Sequence, residues 1–197
     1  MGIIASFVMG IIASFVEVFS TPQGIIGQCF GCVGLVIMVL SFQFKKNRTL
    51  FIMQSIAAFC FVLNFLLIGA WAGTFFNLCV LIRGVLFMKN SDKKWKLFVT
   101  EAIFVGSYAF SLVLDHRPMQ IVLVSLVLVG LLTSTFFMWQ GAAKRIRYCQ
   151  IVCTSPVWIA HNVYNPSLPG IVCECFNMVS SVIFLIRRRD DAGQIQE

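Results

Sequence analysis

Glu174 and His161 stand out first, because each lies inside a run of apolar residues long enough to span a bilayer. An ionisable side chain in such a run costs roughly 2.5–3.5 kcal/mol on insertion scales, so it marks a functional position by default. Asn64, Asn77, Asn162 and Asn177 are polar residues in similar runs. Counting about 1.5 Å per residue from the run ends puts Asn64/Asn77 and His161/Glu174 at like depths, in the half of the membrane away from the basic loops. Trp158 lies one turn deeper than His161 on the same helix face. Together these seven residues predict a substrate-binding pocket. The asparagines would supply hydrogen bonds, Trp158 a stacking wall, and Glu174 and His161 a place for charge or a proton. The competing reading is an interhelical hydrogen-bond network that only holds helices together. Arg83 is a further charge within a run. It would either snorkel to the interface or pair with a carboxylate such as Glu101 and gate the inner side.

Other chemistry finds little support. No nucleophile–base arrangement, phosphate loop or HExxH pattern is present, so no enzymatic activity is expected. The eight cysteines lie in or beside apolar runs. Cys29-x-x-Cys32 and Cys173-x-Cys175, with His161, have the softness to hold copper. Their surroundings favour packing instead, and neither metal nor cofactor is expected.

The elements that position these residues are helices. Hydrophobic residues make up 59% of the 197 residues and charged ones 12%, about half the charged share of a soluble domain. Mean hydropathy is +0.90. Seven spans are predicted near 24–43, 49–69, 71–88, 97–114, 119–139, 148–165 and 168–186. They lack period-2 alternation, so they are helices rather than barrel strands. Of 15 Lys plus Arg, 13 fall in alternate connections: 45–48, 89–96, 144–147 and 187–189. Positive residues stay cytoplasmic, which predicts an external N-terminus and a cytoplasmic C-terminus. The net charge of +7 is thereby explained by topology, without a nucleic-acid partner. Trp71 marks the outer edge, Trp95 and Trp139 the inner one. Residues 1–8, MGIIASFV, recur unchanged as 9–16 with no Lys or Arg. No cleavable signal is expected there, and 1–20 reads as an interfacial or re-entrant helix.

An ungapped shift of 97 residues lays the first three spans on the last three. Gln43 meets Gln140, Arg48 meets Arg145, Asn64 meets His161, Gly73 meets Gly170, Asn77 meets Glu174 and Phe87 meets Phe184. A three-helix unit placed directly after itself would be inverted, and a fourth helix restores a parallel orientation. The predicted plan is therefore an all-α, 3+1+3 membrane protein of two parallel three-helix bundles. Its parts are an N-terminal segment 1–23, a first bundle 24–89, a linker helix 90–118, a second bundle 119–189 and a cytoplasmic tail 190–197, with a site between the bundles.

Two stretches carry a family resemblance, GIIGQCFGCVGLVIMVLSFQFKKNRTLFIMQ and SPVWIAHNVYNPSLPGIVCECFNMVSSVIFLIR. Both resemble the YgjV-type bacterial inner-membrane protein family, over roughly 24–189. That family in turn resembles the PQ-loop superfamily, which includes the SWEET sugar transporters. The resemblance implies a multi-pass protein of the bacterial inner membrane and a SWEET-like arrangement of helices. The PQ dipeptides of that superfamily would fall at Phe42-Gln43 and Trp139-Gln140, where the glutamines stand without prolines. A proline-hinged rocking motion is therefore not implied. The resulting expectation is a transporter of a small polar solute in the lipid bilayer. The alternative is a non-transporting scaffold or partner protein with a closed bundle.

Overall fold

The computed structural model describes the backbone of residues 2–41, 47–88 and 93–194. Gln43, Lys45, Lys46 and Lys89 lie outside the described residues, as do the side chains of Arg48, Arg188 and Arg189. The described chain is helical: α1 (Gly2–Ser20), α2 (Pro22–Ser41), α3 (Asn47–Leu67), α4 (Trp71–Phe87), α5 (Lys94–Leu114), α6 (Pro118–Trp139), α7 (Ala143–Cys149), a π-helical turn (Gln150–Thr154), α8 (Ser155–Tyr164) and α9 (Leu168–Gln194). Helices thus stand where the apolar runs predict them, with two differences. The expected helix 148–165 starts earlier, at Ala143, and is interrupted by the π turn. The last helix runs past 186 into the segment expected to be a tail.

Among the described residues, four helices have the length and hydropathy to cross a membrane: Pro22–Ser41, Lys94–Leu114, Pro118–Trp139 and Leu168–Arg187. The apolar parts of α1, α3 and α4 are shorter, Ala5–Ser20, Ile52–Leu67 and Trp71–Phe87. At 1.5 Å per residue the 17 residues of α4 reach about 26 Å, a little less than the hydrocarbon thickness of about 30 Å.

The surface is that of a chain built for lipid. On α2 the buried positions are Gly24, Gly27, Gln28, Gly31, Gly34 and Ser41, while Ile25, Ile26, Phe30, Val33, Val36 and Leu40 are exposed. Large apolar side chains are likewise exposed on α5, α6 and α9, Phe98, Val129 and Val179 among them. Lipid removes the penalty for exposing them, so small and polar groups go inward and bring backbones close. A Cβ on Gly34 would lie 3.0 Å from Cys60 Cβ and 3.1 Å from the Ala57 carbonyl oxygen. Gly34→Leu is therefore expected to cost about 1–3 kcal/mol by overpacking α2 against α3. Thermal melting in detergent reads it, and a melt equal to wild type would show that this interface has slack.

Two glycines shape the turns. Gly69 (φ 74) and Gly141 (φ 65) end α3 and α6 in the left-handed region. In each, the next residue's N–H reaches back five positions, Ala70 to Phe65 O at 2.8 Å and Ala142 to Phe137 O at 3.1 Å. These are Schellman closures, which satisfy carbonyls the helix end leaves open.

Consecutive helices pack in sequence: α2 on α3, α3 on α4, α4 on α5, α5 on α6, α6 on α8, α8 on α9, and α9 returns to α2. The seven elements close a ring, and α1 packs outside it on α2. Inside lies an aromatic cluster with Phe65, Phe76, Phe104 and Trp158 at its centre. The turns 67–71, 114–118 and 164–168 share one end of the ring. The other end carries Lys93, Lys94, Lys144 and Arg145.

Candidate functional site

Pro156 shapes the site. It has no N–H to give the carbonyl four residues back, and its ring crowds that turn. The helix widens there into the π turn, in which the Ser155 N–H bonds Gln150 O. Single π turns recur at functional positions because they redirect side chains. This one turns Gln150, Thr154 and Trp158 toward a cavity of about 540 Å³ within the ring. It also brings Ser155 Oγ to 2.5 Å from Glu174 Oε2.

Glu174 lines that cavity. Besides Ser155, it accepts from Gln150 Nε2 at 3.2 Å and from Asn177 Nδ2 at 3.4 Å. All three donors are neutral. Asn77 lines the cavity from α4, its Nδ2 donating to Gly73 O on its own helix at 2.9 Å. Trp158 and Asn162 complete the wall on α8. The cavity runs from Asn162 and Gly170 to the exposed residues Gly141 and Ala143, at the basic end of the ring. Its volume falls in the range of small-molecule sites.

Asn64 and His161 are placed differently from the sequence expectation, which grouped them with the pocket residues. Both are fully buried and neither lines the cavity. Asn64 Nδ2 donates to Gly27 O at 2.9 Å, and its Oδ1 accepts from Ser167 Oγ at 2.7 Å. Gln28 Nε2 donates to Pro166 O at 2.7 Å, and Gln28 Oε1 accepts the Leu168 N–H at 3.2 Å. Asn165 Nδ2 donates to Gln120 Oε1 at 3.0 Å. These bonds seal the end of the ring opposite the basic one. His161 sits between Phe65, at 5.9 Å, and Trp158, at 5.2 Å. Among the described residues its two ring nitrogens, with Asn162 Oδ1 and Gln120 Nε2, have no hydrogen-bond partner.

Of the two readings of Arg83, the pairing with Glu101 does not occur among the described residues. Arg83 Nη1 donates instead to Ser134 Oγ at 3.3 Å and Thr135 Oγ1 at 2.9 Å on α6, with its guanidinium 5.7 Å from the Phe104 ring centre. Two hydroxyls on the facing helix are nearer to hand than a carboxylate on α5. Gln140, at the end of α6, accepts from Arg145 Nη1 at 3.1 Å. Cys29, Cys32 and Cys175 are exposed while Cys173 is buried, so the two cysteine motifs do not converge with His161. Outside the helices, Arg117 and Asp115 form an ion pair at 2.6 Å, and Arg117's hydrogen bonds hold the Asp115 carboxyl below its ordinary range.

Residues 25–192 match the family model of the Imp-YgjV bacterial inner membrane proteins. The chain belongs to that family. No curated protein and no solved structure matches it significantly. As an Imp-YgjV protein it is a membrane protein of the bacterial inner membrane, which accounts for its lipid-like exterior. The site itself must be read from its own residues.

Sequence reasoning missed several of these. Gln150, Gln54 and Arg147 line the cavity, and Gln28 and Ser167 close the opposite end. Gln28, Gln54 and Gln150 carry the same signal as the asparagines, a polar side chain in an apolar run. Ser155 carries a second one, its place before a proline inside a predicted span.

Proposed function

We propose that the protein moves a small polar solute across the inner membrane, without chemical change, through the cavity in its helical ring. The observation behind this reading is the cavity of about 540 Å³ that reaches the basic end and is closed at the other by the Gln28, Asn64 and Asn165 bonds. With basic residues cytoplasmic, this is an inward-facing arrangement with the N-terminus outside and the C-terminus inside. A scaffold protein would need no such cavity.

The 97-residue shift gives further support to two parallel units joined by α5 in a 3+1+3 plan. Four equivalent pairs line the cavity together: Phe61/Trp158, Phe65/Asn162, Asn77/Glu174 and Val80/Asn177. The equivalent glycines also behave alike. A Cβ on Gly73 would strike the Phe65 ring at 2.7 Å, and one on Gly170 would strike Asn162 Nδ2 at 2.7 Å. In both units the middle helix lies between the other two.

The test is uptake into proteoliposomes holding the full chain, across a panel of small polar solutes. At least one solute is expected to equilibrate faster than in protein-free liposomes. A panel in which none does would leave the scaffold reading.

A further inference from the structure

Besides Arg147 near its mouth, the cavity holds two opposite charges that do not meet, Arg83 and Glu174, and each of these two has hydrogen-bonding capacity left over. Arg83 uses Nη1 on Ser134 and Thr135. Its Nε–Nη2 edge, the side-on fork that grips a carboxylate with two parallel bonds, makes no hydrogen bond among the described residues. The ion pair among those residues is Arg117 with Asp115, at the far turn. Glu174 has only neutral donors, Ser155, Gln150 and Asn177. Both charges line the same cavity. In a membrane interior an ion without a counter-ion is costly, and such groups are kept where they meet a substrate or another ion.

Their levels can be compared along α6. A Cβ on Gly130 would lie 3.4 Å from Thr154 Cα, and Ser155, the next residue, holds Glu174. Thr135, which holds Arg83, is five residues further along α6, about 7–8 Å toward the basic end at the helical rise. The guanidinium therefore stands nearer the mouth and the carboxylate deeper. Arg147 lines the cavity near that mouth, its guanidinium 5.2 Å from the Phe184 ring centre.

We propose that the transported solute is dipolar, with its anionic group on the Arg83 fork and its cationic group deeper, at Glu174. This rests on the transport reading and names its substrate class. A solute with both charges meets both Arg83 and Glu174, whereas an anion or a cation leaves one of the two without a counter-charge. A neutral polyol leaves both.

The experiment measures uptake by proteoliposomes of size-matched probes: the zwitterions alanine, γ-aminobutyrate and glutamine, the anion lactate, the cation choline and neutral ribitol. At least one zwitterion is expected to enter roughly tenfold or more faster than any other class, the discrimination a charge-assisted hydrogen bond supplies. Arg83→Gln and Glu174→Gln should each bring that uptake down to the protein-free rate. Should Arg83→Gln fail to reconstitute, Arg83→Lys decides, since lysine keeps the charge but lacks the fork, and uptake should still fall several-fold with normal assembly. Faster uptake of ribitol, choline or lactate, or zwitterion uptake indifferent to the Arg83 variants, overturns the dipolar assignment and leaves transport standing. Uptake of no probe, with every class tested, overturns the transport reading beneath it.

Discussion

Replacing Glu174 by glutamine is expected to abolish solute uptake while leaving the fold nearly as stable as before. The two side chains have the same shape. A glutamine carbonyl at the Oε2 position still accepts from Ser155, now 2.5 Å away, and from Gln150 at 3.2 Å. Its amide then faces Asn177, whose own amide can rotate to present its carbonyl in place of the 3.4 Å donation it makes to Glu174. The network survives with every group satisfied, so the change in stability should stay within about 1 kcal/mol. The charge does not survive, and with it goes whatever cation or proton the carboxylate takes up. Glu174→Ala makes the contrast. It strands the Ser155 hydroxyl inside the ring, while Gln150 Nε2 keeps its 2.7 Å bond to Ser155 Oγ, and is expected to cost about 1–3 kcal/mol for the unsatisfied donor. Uptake rate and detergent melting, measured on both variants, separate the two roles. Unchanged uptake in Glu174→Gln together with a lowered melt would make the cluster a structural hydrogen-bond network and nothing more.

The sequence shows how deep a residue lies but not which way it faces. Asn64 and Asn77 occupy like depths by residue count, yet Asn64 is fully buried against Gly27 and Ser167 while Asn77 lines the cavity. The same division separates His161 from Glu174. A helix that is apolar all round has no stripe to mark its inward face, and in lipid the exposed face is as hydrophobic as the core. The helix positions were legible because apolar runs between basic clusters have only one economical solution in a bilayer. The glycines of α2 were legible for a related reason, since small residues in a span mark close packing. The π turn was not. A proline at 156 announces a disturbance, but whether the helix kinks, breaks or widens depends on what Ser155 and Gln150 can bond across the ring, which only the fold supplies. The Glu101 alternative for Arg83 failed for a simpler reason. A lone charge invites a search for a carboxylate, and the sequence does not reveal that two hydroxyls on α6 stand closer.

Trp158→Ala is expected to have the largest effect on stability of any single substitution in the ring. Its indole joins α8 to the other half of the chain, with ring centres 6.2 Å from Phe65 on α3 and 6.4 Å from Phe76 on α4. Only 7% of the residue is exposed. Truncating a buried aromatic in a soluble core costs about 3–5 kcal/mol. In a bilayer the transfer part of that cost shrinks, because lipid is as apolar as the core, and lost packing is what remains. A value near the low end, about 3 kcal/mol, follows. The substitution also uncovers His161, 5.2 Å from the indole centre, and lets cavity water reach its two ring nitrogens. Trp158→Phe keeps a ring between Phe65 and Phe76 and should recover roughly half of the loss, on the scale of partial cavity filling. Melting of the three proteins in one detergent gives the order wild type, Phe, Ala. If alanine melts with wild type, the two halves of the ring are held by the Gln28 and Asn64 bonds at its closed end, and the aromatic cluster only fills the space between them.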